Sequence, residues 1–127
     1  RAETCFDNTT RANLGGLTHS ERVFLGLALL HRYRNKREGT RFTDLYDLLD
    51  EKTQRQAEIL GKAMRFGAML WMQKDADMGD LRFAPKKREL HFTLPSAAKP
   101  LYSDVAQARL RSLADALDAE PVVHIRR

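Results

Sequence analysis

The chain is 127 residues long, 14.6 kDa, enough for one domain or a compact pair of subdomains, and 43% hydrophobic residues let it bury a core. No apolar run approaches the ~20 residues of a membrane span, and one cysteine, Cys5, excludes an internal disulfide framework and any multi-thiolate metal site. A formal charge of +5 and a pI near 9.7 favour anionic partners without saying which.

The N-terminal RAETCFDNTT is polar and mixed in charge, unlike a signal peptide, so a cytoplasmic protein is expected. It opens without Met, from which we expect a piece of a longer chain. Ala2, Cys5, Phe6 and Thr9 have helical spacing, stopped by Gly15-Gly16. Leu17 to Lys36 reads as a second helix, opened by a capping box in which Thr18 and Glu21 serve each other's backbone. Val23 to Leu30 carry no charge, so this helix is expected to be buried on more than one face. It ends in His31, Arg32, Tyr33, Arg34, Lys36 and Arg37. Cations there suit the negative pole of a helix by roughly 0.3–1 kcal/mol each, and they would equally attract a polyanion.

Phe42, Leu45, Tyr46, Leu48 and Leu49 predict a short amphipathic helix with an acidic stretch at Asp44, Asp47, Asp50 and Glu51. Thr53-Gln54-Arg55-Gln56 reads as a second capping box, opening a helix to about Met72. That helix carries two apolar stripes, Leu60, Met64, Gly67, Ala68 and Trp71 beside Ile59, Ala63, Phe66 and Leu70. Glu58, Lys62 and Arg65 form its wet edge. Gly61 and Gly67 weaken a helix interior, so both are read as points of close helix approach. Beyond the connector from Lys74, Leu81, Phe83, Leu90, Phe92 and Leu94 alternate on either side of Pro85-Lys86-Lys87-Arg88, a β-hairpin with a basic turn. Pro95 to Pro100 interrupts the chain, and Ser103 caps a helix with Ala106, Leu110, Leu113, Ala114 and Leu117 on one face. Val122 to Ile125 predict a third strand. The fold class is α+β, with a helical region at 1–73 followed by a β-β-α-β module at 74–127.

Common catalytic signatures are missing from this sequence. Gly15-Gly16 lacks the Lys-Ser/Thr of a phosphate loop, no Gly-x-Ser-x-Gly elbow occurs, and no His-x-x-x-His or Cys-x-x-Cys pair offers metal spacing. Asp75, Asp77, Gly79 and Asp80 fail the spacing of a calcium loop. His31 is followed by Arg32, and no His-Asp dipeptide exists to seed a His-Asp metal phosphohydrolase. The basic patches are Arg32, Arg34, Lys36 and Arg37 with Arg41; Lys86, Lys87 and Arg88; and Arg126 with Arg127. Few aromatics accompany them, which argues against a single-stranded nucleic-acid platform.

RAETCFDN, LTHSERVFLGLALLHRYRNK, QAEILGKAMRFGAMLW, and LRFAPKKRELHFTLP followed by RLRSLADAL, in that order, resemble the C-terminal part of the exopolyphosphatase and guanosine pentaphosphate phosphatase family. The resemblance implies helices similar to those of His-Asp phosphohydrolases without their metal ligands. It also implies catalysis and Mg2+ in N-terminal actin-like domains that this chain lacks, so neither a catalytic residue nor a cofactor is expected in it. The expected role is that of an accessory domain that helps hold polyphosphate, or another phosphate-rich anion, and contributes to a homodimer. The polyphosphate contacts are placed on Arg32, Arg34, Lys36 and Arg37, with Lys86, Lys87 and Arg88 as a second set. A free-standing His-Asp phosphohydrolase and a basic nucleic-acid module are the alternatives.

Overall fold

The structure, a computed structural model, describes residues 4, 8, 9, 18–33, 48–70 and 79–127. Its secondary structure is helices followed by a small mixed sheet with a helix, an α+β fold. The chain divides into two compact units, residues 1–65 and 66–127. The predicted helix at 2–11 falls mostly outside the described residues, as do residues 42–47 of the predicted short helix at 42–49 and the calcium-like loop's Asp75 and Asp77.

The first unit is built on α1, His19–Tyr33, and on the first three quarters of α2, Glu51–Leu70. The Thr18 capping box forms as expected: Glu21 N–H donates to Thr18 Oγ1 at 3.1 Å, and Thr18 N–H donates to Glu21 Oε1 at 3.0 Å. Val23, Leu27, Ala28 and Leu30 are buried together with Leu49 and Ala57, while Phe24, Tyr33 and Met64 pack against them. Each fully buried Leu is worth about 1.5–3 kcal/mol, so this apolar body outweighs the modest gains available at the helix end.

The start of α2 differs from the expected box at Thr53. Asp50 is the cap instead, and its Oδ1 accepts Thr53 N–H at 2.7 Å, while Gln54 Nε2 reaches the Leu49 carbonyl at 2.9 Å. A carboxylate three residues ahead of a free N–H is as good an acceptor as Thr, and it also suits the positive pole. The stripes of α2 differ as well. Leu60, Gly67 and Ala68 are exposed, whereas Lys62 is buried. Its aliphatic stem lies inward and its Nζ meets Glu58 Oε1 at 2.8 Å, so a charged residue occupies an inner position without stranding its charge.

The second unit holds β1, Asp80–Ala84; β2, Glu89–Pro95; a 3-10 turn at Ser96–Leu101; α3, Asp104–Ala116; and β3, Glu120–Arg126. β1 pairs antiparallel with β2, and β3 returns parallel on the other side, in the order β1-β2-β3. Parallel pairing needs a crossover, and α3 supplies it. Ser103 Oγ accepts Ala106 N–H at 3.3 Å, as the sequence predicts. Leu90, Phe92 and Leu94 are buried, as are Ala106, Leu110, Leu113 and Ala114 of α3. Phe66 meets Phe92 edge-on at 5.1 Å, which is why the unit boundary falls inside α2. α3 ends with Asp118 at φ 54; Ala119 N–H reaches the Ala114 carbonyl and Asp118 N–H that of Asp115, a Schellman closure. Among the described residues no helix is long and apolar enough to cross a membrane.

Candidate anion-binding site

Strand parity decides what surrounds the basic turn. Leu90, Phe92 and Leu94 point into the core, so Glu89, His91 and Thr93 share the other face of β2. Pairing then brings Arg82 of β1 opposite His91, Asp80 opposite Thr93, and His124 of β3 opposite Thr93. The turn carries Lys86 and Lys87 at its corners, closed by Arg88 N–H to the Pro85 carbonyl at 3.3 Å.

Arg82, Lys86, Lys87 and His91, with Phe83, Ala84 and Pro85, line a hollow of about 400 Å³. No carboxylate is among these lining residues, and among the described residues none forms an ion pair with Arg82, Lys86 or Lys87. Unpaired cations converging on one hollow can be offered to a phosphate, Arg as a bidentate fork and the lysines as point charges.

Arg88 turns elsewhere. At φ 52 it directs its guanidinium to Asp118, with Nη1 to Oδ2 at 2.9 Å, both side chains largely exposed. It borders a second hollow of about 320 Å³ lined also by Asp115, Asp118, Ala119 and Glu120, and Glu120 is in turn held by Arg111 at 3.1 Å. The basic turn therefore separates a cationic hollow from a mainly acidic one.

His91 makes two polar contacts on this face. Its Nε2 lies 3.2 Å from Glu89 Oε1, and its Nδ1 lies 2.9 Å from Nε2 of His124. The two rings are parallel within 3° with centroids 5.2 Å apart. With ring nitrogens in hydrogen-bond contact, that separation means the rings meet edge to edge, in line, and do not lie one over the other.

Of the residues expected to bind a phosphate chain, Lys86 and Lys87 come together here and Arg88 borders the neighbouring hollow. Arg32 belongs to the first unit, half-buried with its guanidinium carbon 4.7 Å above the Tyr33 ring. Arg34, Lys36 and Arg37 lie outside the described residues, with Arg41. No pattern in the sequence marks Arg82, Glu89, His91 or His124 as a site residue. The hairpin register was the signal available for Arg82, because it lies opposite His91. His124 comes from a parallel strand whose partner no local pattern specifies. His31, near the C-terminal end of α1, is buried with its Cβ beside Gly61. No group of three or more His, Cys, Asp or Glu side chains gathers in metal-binding geometry among the described residues.

Comparison with protein-family models and with curated proteins returns no match for this chain.

Proposed function

We propose that this chain is a non-catalytic accessory domain of an enzyme of the exopolyphosphatase and guanosine pentaphosphate phosphatase type, and that it holds phosphate chains in the hollow beside the hairpin turn. The observation that carries this reading is the convergence of Arg82, Lys86, Lys87 and His91 on one hollow without a lining carboxylate. The order of the resembling segments and the charge of +5 support it. On this reading the parent enzyme is cytoplasmic, its actin-like domains supply the catalytic groups and Mg2+, and the domain contributes to a homodimer.

The test is calorimetric titration of the chain with linear polyphosphate at low salt. Lys86→Ala combined with Lys87→Ala removes two charged donors from an exposed turn, and is expected to weaken binding at least about tenfold. Circular dichroism of the variant should match the parent, because neither side chain is buried. Undiminished affinity would exclude the hollow as the phosphate site.

A further inference from the structure

The array Glu89–His91–His124 adds something the lysines and Arg82 do not: a movable proton at the edge of the anion hollow. A carboxylate only accepts, so the contact of Glu89 Oε1 with His91 Nε2 requires that nitrogen to carry hydrogen. The proton between His91 Nδ1 and His124 Nε2 can belong to either ring. In the uncharged array His124 donates and His91 accepts. Adding one proton reverses the direction: His124 takes the new hydrogen on Nδ1 and passes its Nε2 hydrogen to His91 Nδ1, so His91 becomes the imidazolium, donating on both sides, while His124 stays neutral. Every hydrogen bond survives the first protonation. A second proton would set N–H against N–H at 2.9 Å and drive the rings apart.

Charged groups surround His91 on this face of the sheet. On the same face lie Asp80 and Arg82 of β1, Glu89 of β2, and Glu120, His124 and Arg126 of β3, with Lys86 and Lys87 on the turn. Glu89 is in direct contact with His91, Arg82 lies across the strand pair from it, and the two lysines line the same hollow. Glu120 is engaged by Arg111. An anion seated among Arg82, Lys86 and Lys87 would lie beside His91 and add its negative charge to that of Glu89, which favours an imidazolium there.

We propose that the hollow takes up its phosphate-type anion together with one proton carried by the Glu89–His91–His124 array, so that binding strengthens as pH falls through the range in which histidines titrate. This inference rests on reading the hollow as an anion site. It makes His91 a proton-coupled ligand and gives Glu89 and His124 the task of holding its ring while it changes charge. The proton comes from solvent, and no covalent step is involved.

The probe is trimetaphosphate, a cyclic phosphate that stays fully ionised between about pH 5.5 and 8.5, so that any proton taken up belongs to the protein. Titration calorimetry of the chain in buffers of differing ionisation heat counts those protons. The expected result is uptake approaching one proton per anion above neutrality, with affinity falling by up to about tenfold per pH unit there. His91→Gln is expected to bind weakly and without proton uptake, at an affinity that no longer changes with pH. In 15N spectra of the parent chain, His91 Nε2 should remain protonated throughout while Nδ1 gains its proton on binding. Binding without proton uptake, or uptake undiminished in His91→Gln, would overturn the proton coupling and leave the anion site standing. Failure of trimetaphosphate to bind at low salt would overturn the anion site and the coupling together.

Discussion

Gly61 and Gly67 sit about one and two-thirds turns apart on α2, and the sequence offers the same reading for both. Their surroundings are opposite. A Cβ on Gly61 would overlap the Ala28 carbonyl and the Cβ of His31, whereas among the described residues nothing lies within 4 Å of one on Gly67. Alanine gains about 1 kcal/mol over glycine in a helix interior, and overpacking against backbone costs about 1–3 kcal/mol. At Gly67 only the first effect operates, so Gly67→Ala should stabilise the chain by up to about 1 kcal/mol. At Gly61 the second is the larger, and Gly61→Ala should destabilise it; urea unfolding of the two variants decides both signs. Lys62 teaches the same lesson: the charge pattern assigns it to water, and the local helix packing buries its stem while Glu58 keeps its ammonium paired. Which face of a helix is inner depends on what lies against it, and residue type alone does not state that.

Among the elements, helix starts are the most legible part of the sequence, because a cap is a contact over three residues. Thr18, Glu21 and Ser103 act where their spacing says they should. Asp50 displaces Thr53 because both are acceptable caps and the chain enters the helix one turn earlier. The two carboxylates at these starts respond to acid in the same sense. The Thr18 backbone N–H, and then its hydroxyl, hold Glu21 below the usual carboxylate value, and the Thr53 hydroxyl, followed by its N–H, does so for Asp50. A carboxylate whose value is depressed on folding contributes stability that is fully present above its unfolded value and is lost as pH falls through the folded one. Thermal unfolding should therefore shift to lower temperature as the solution is acidified from about pH 5 towards pH 2. Asp50→Asn keeps an oxygen for Thr53 N–H but cannot titrate, so its unfolding temperature should depend less on pH over that interval. An equal dependence would show that the cap's charge plays no part.

For the molecule as a whole, the charge of +5 matters through where it collects. Arg88 and Arg111 are drawn into surface pairs with Asp118 and Glu120, each worth no more than about 1 kcal/mol, while Arg82, Lys86 and Lys87 are left to face one hollow. If that hollow holds a phosphate chain, affinity must fall steeply with salt, and the logarithmic slope should be shallower in Lys86→Ala with Lys87→Ala than in the parent. Equal slopes measured by filter binding across a salt series would mean that neither lysine neutralises a phosphate. The amino-acid sequence by itself determined the apolar body of α1, the caps at Thr18 and Ser103, the hairpin around its basic turn and the β-β-α-β order, because each is written in contacts between near neighbours or in a strict period. Tertiary structure alone decided that β3 lies parallel to β2 and brings His124 to His91, that Arg82 joins Lys86 and Lys87, and that Arg88 leaves them. Those partners are distant in the chain or set by backbone conformation, and only the pairing of strands and the left-handed turn at Arg88 bring them together or part them.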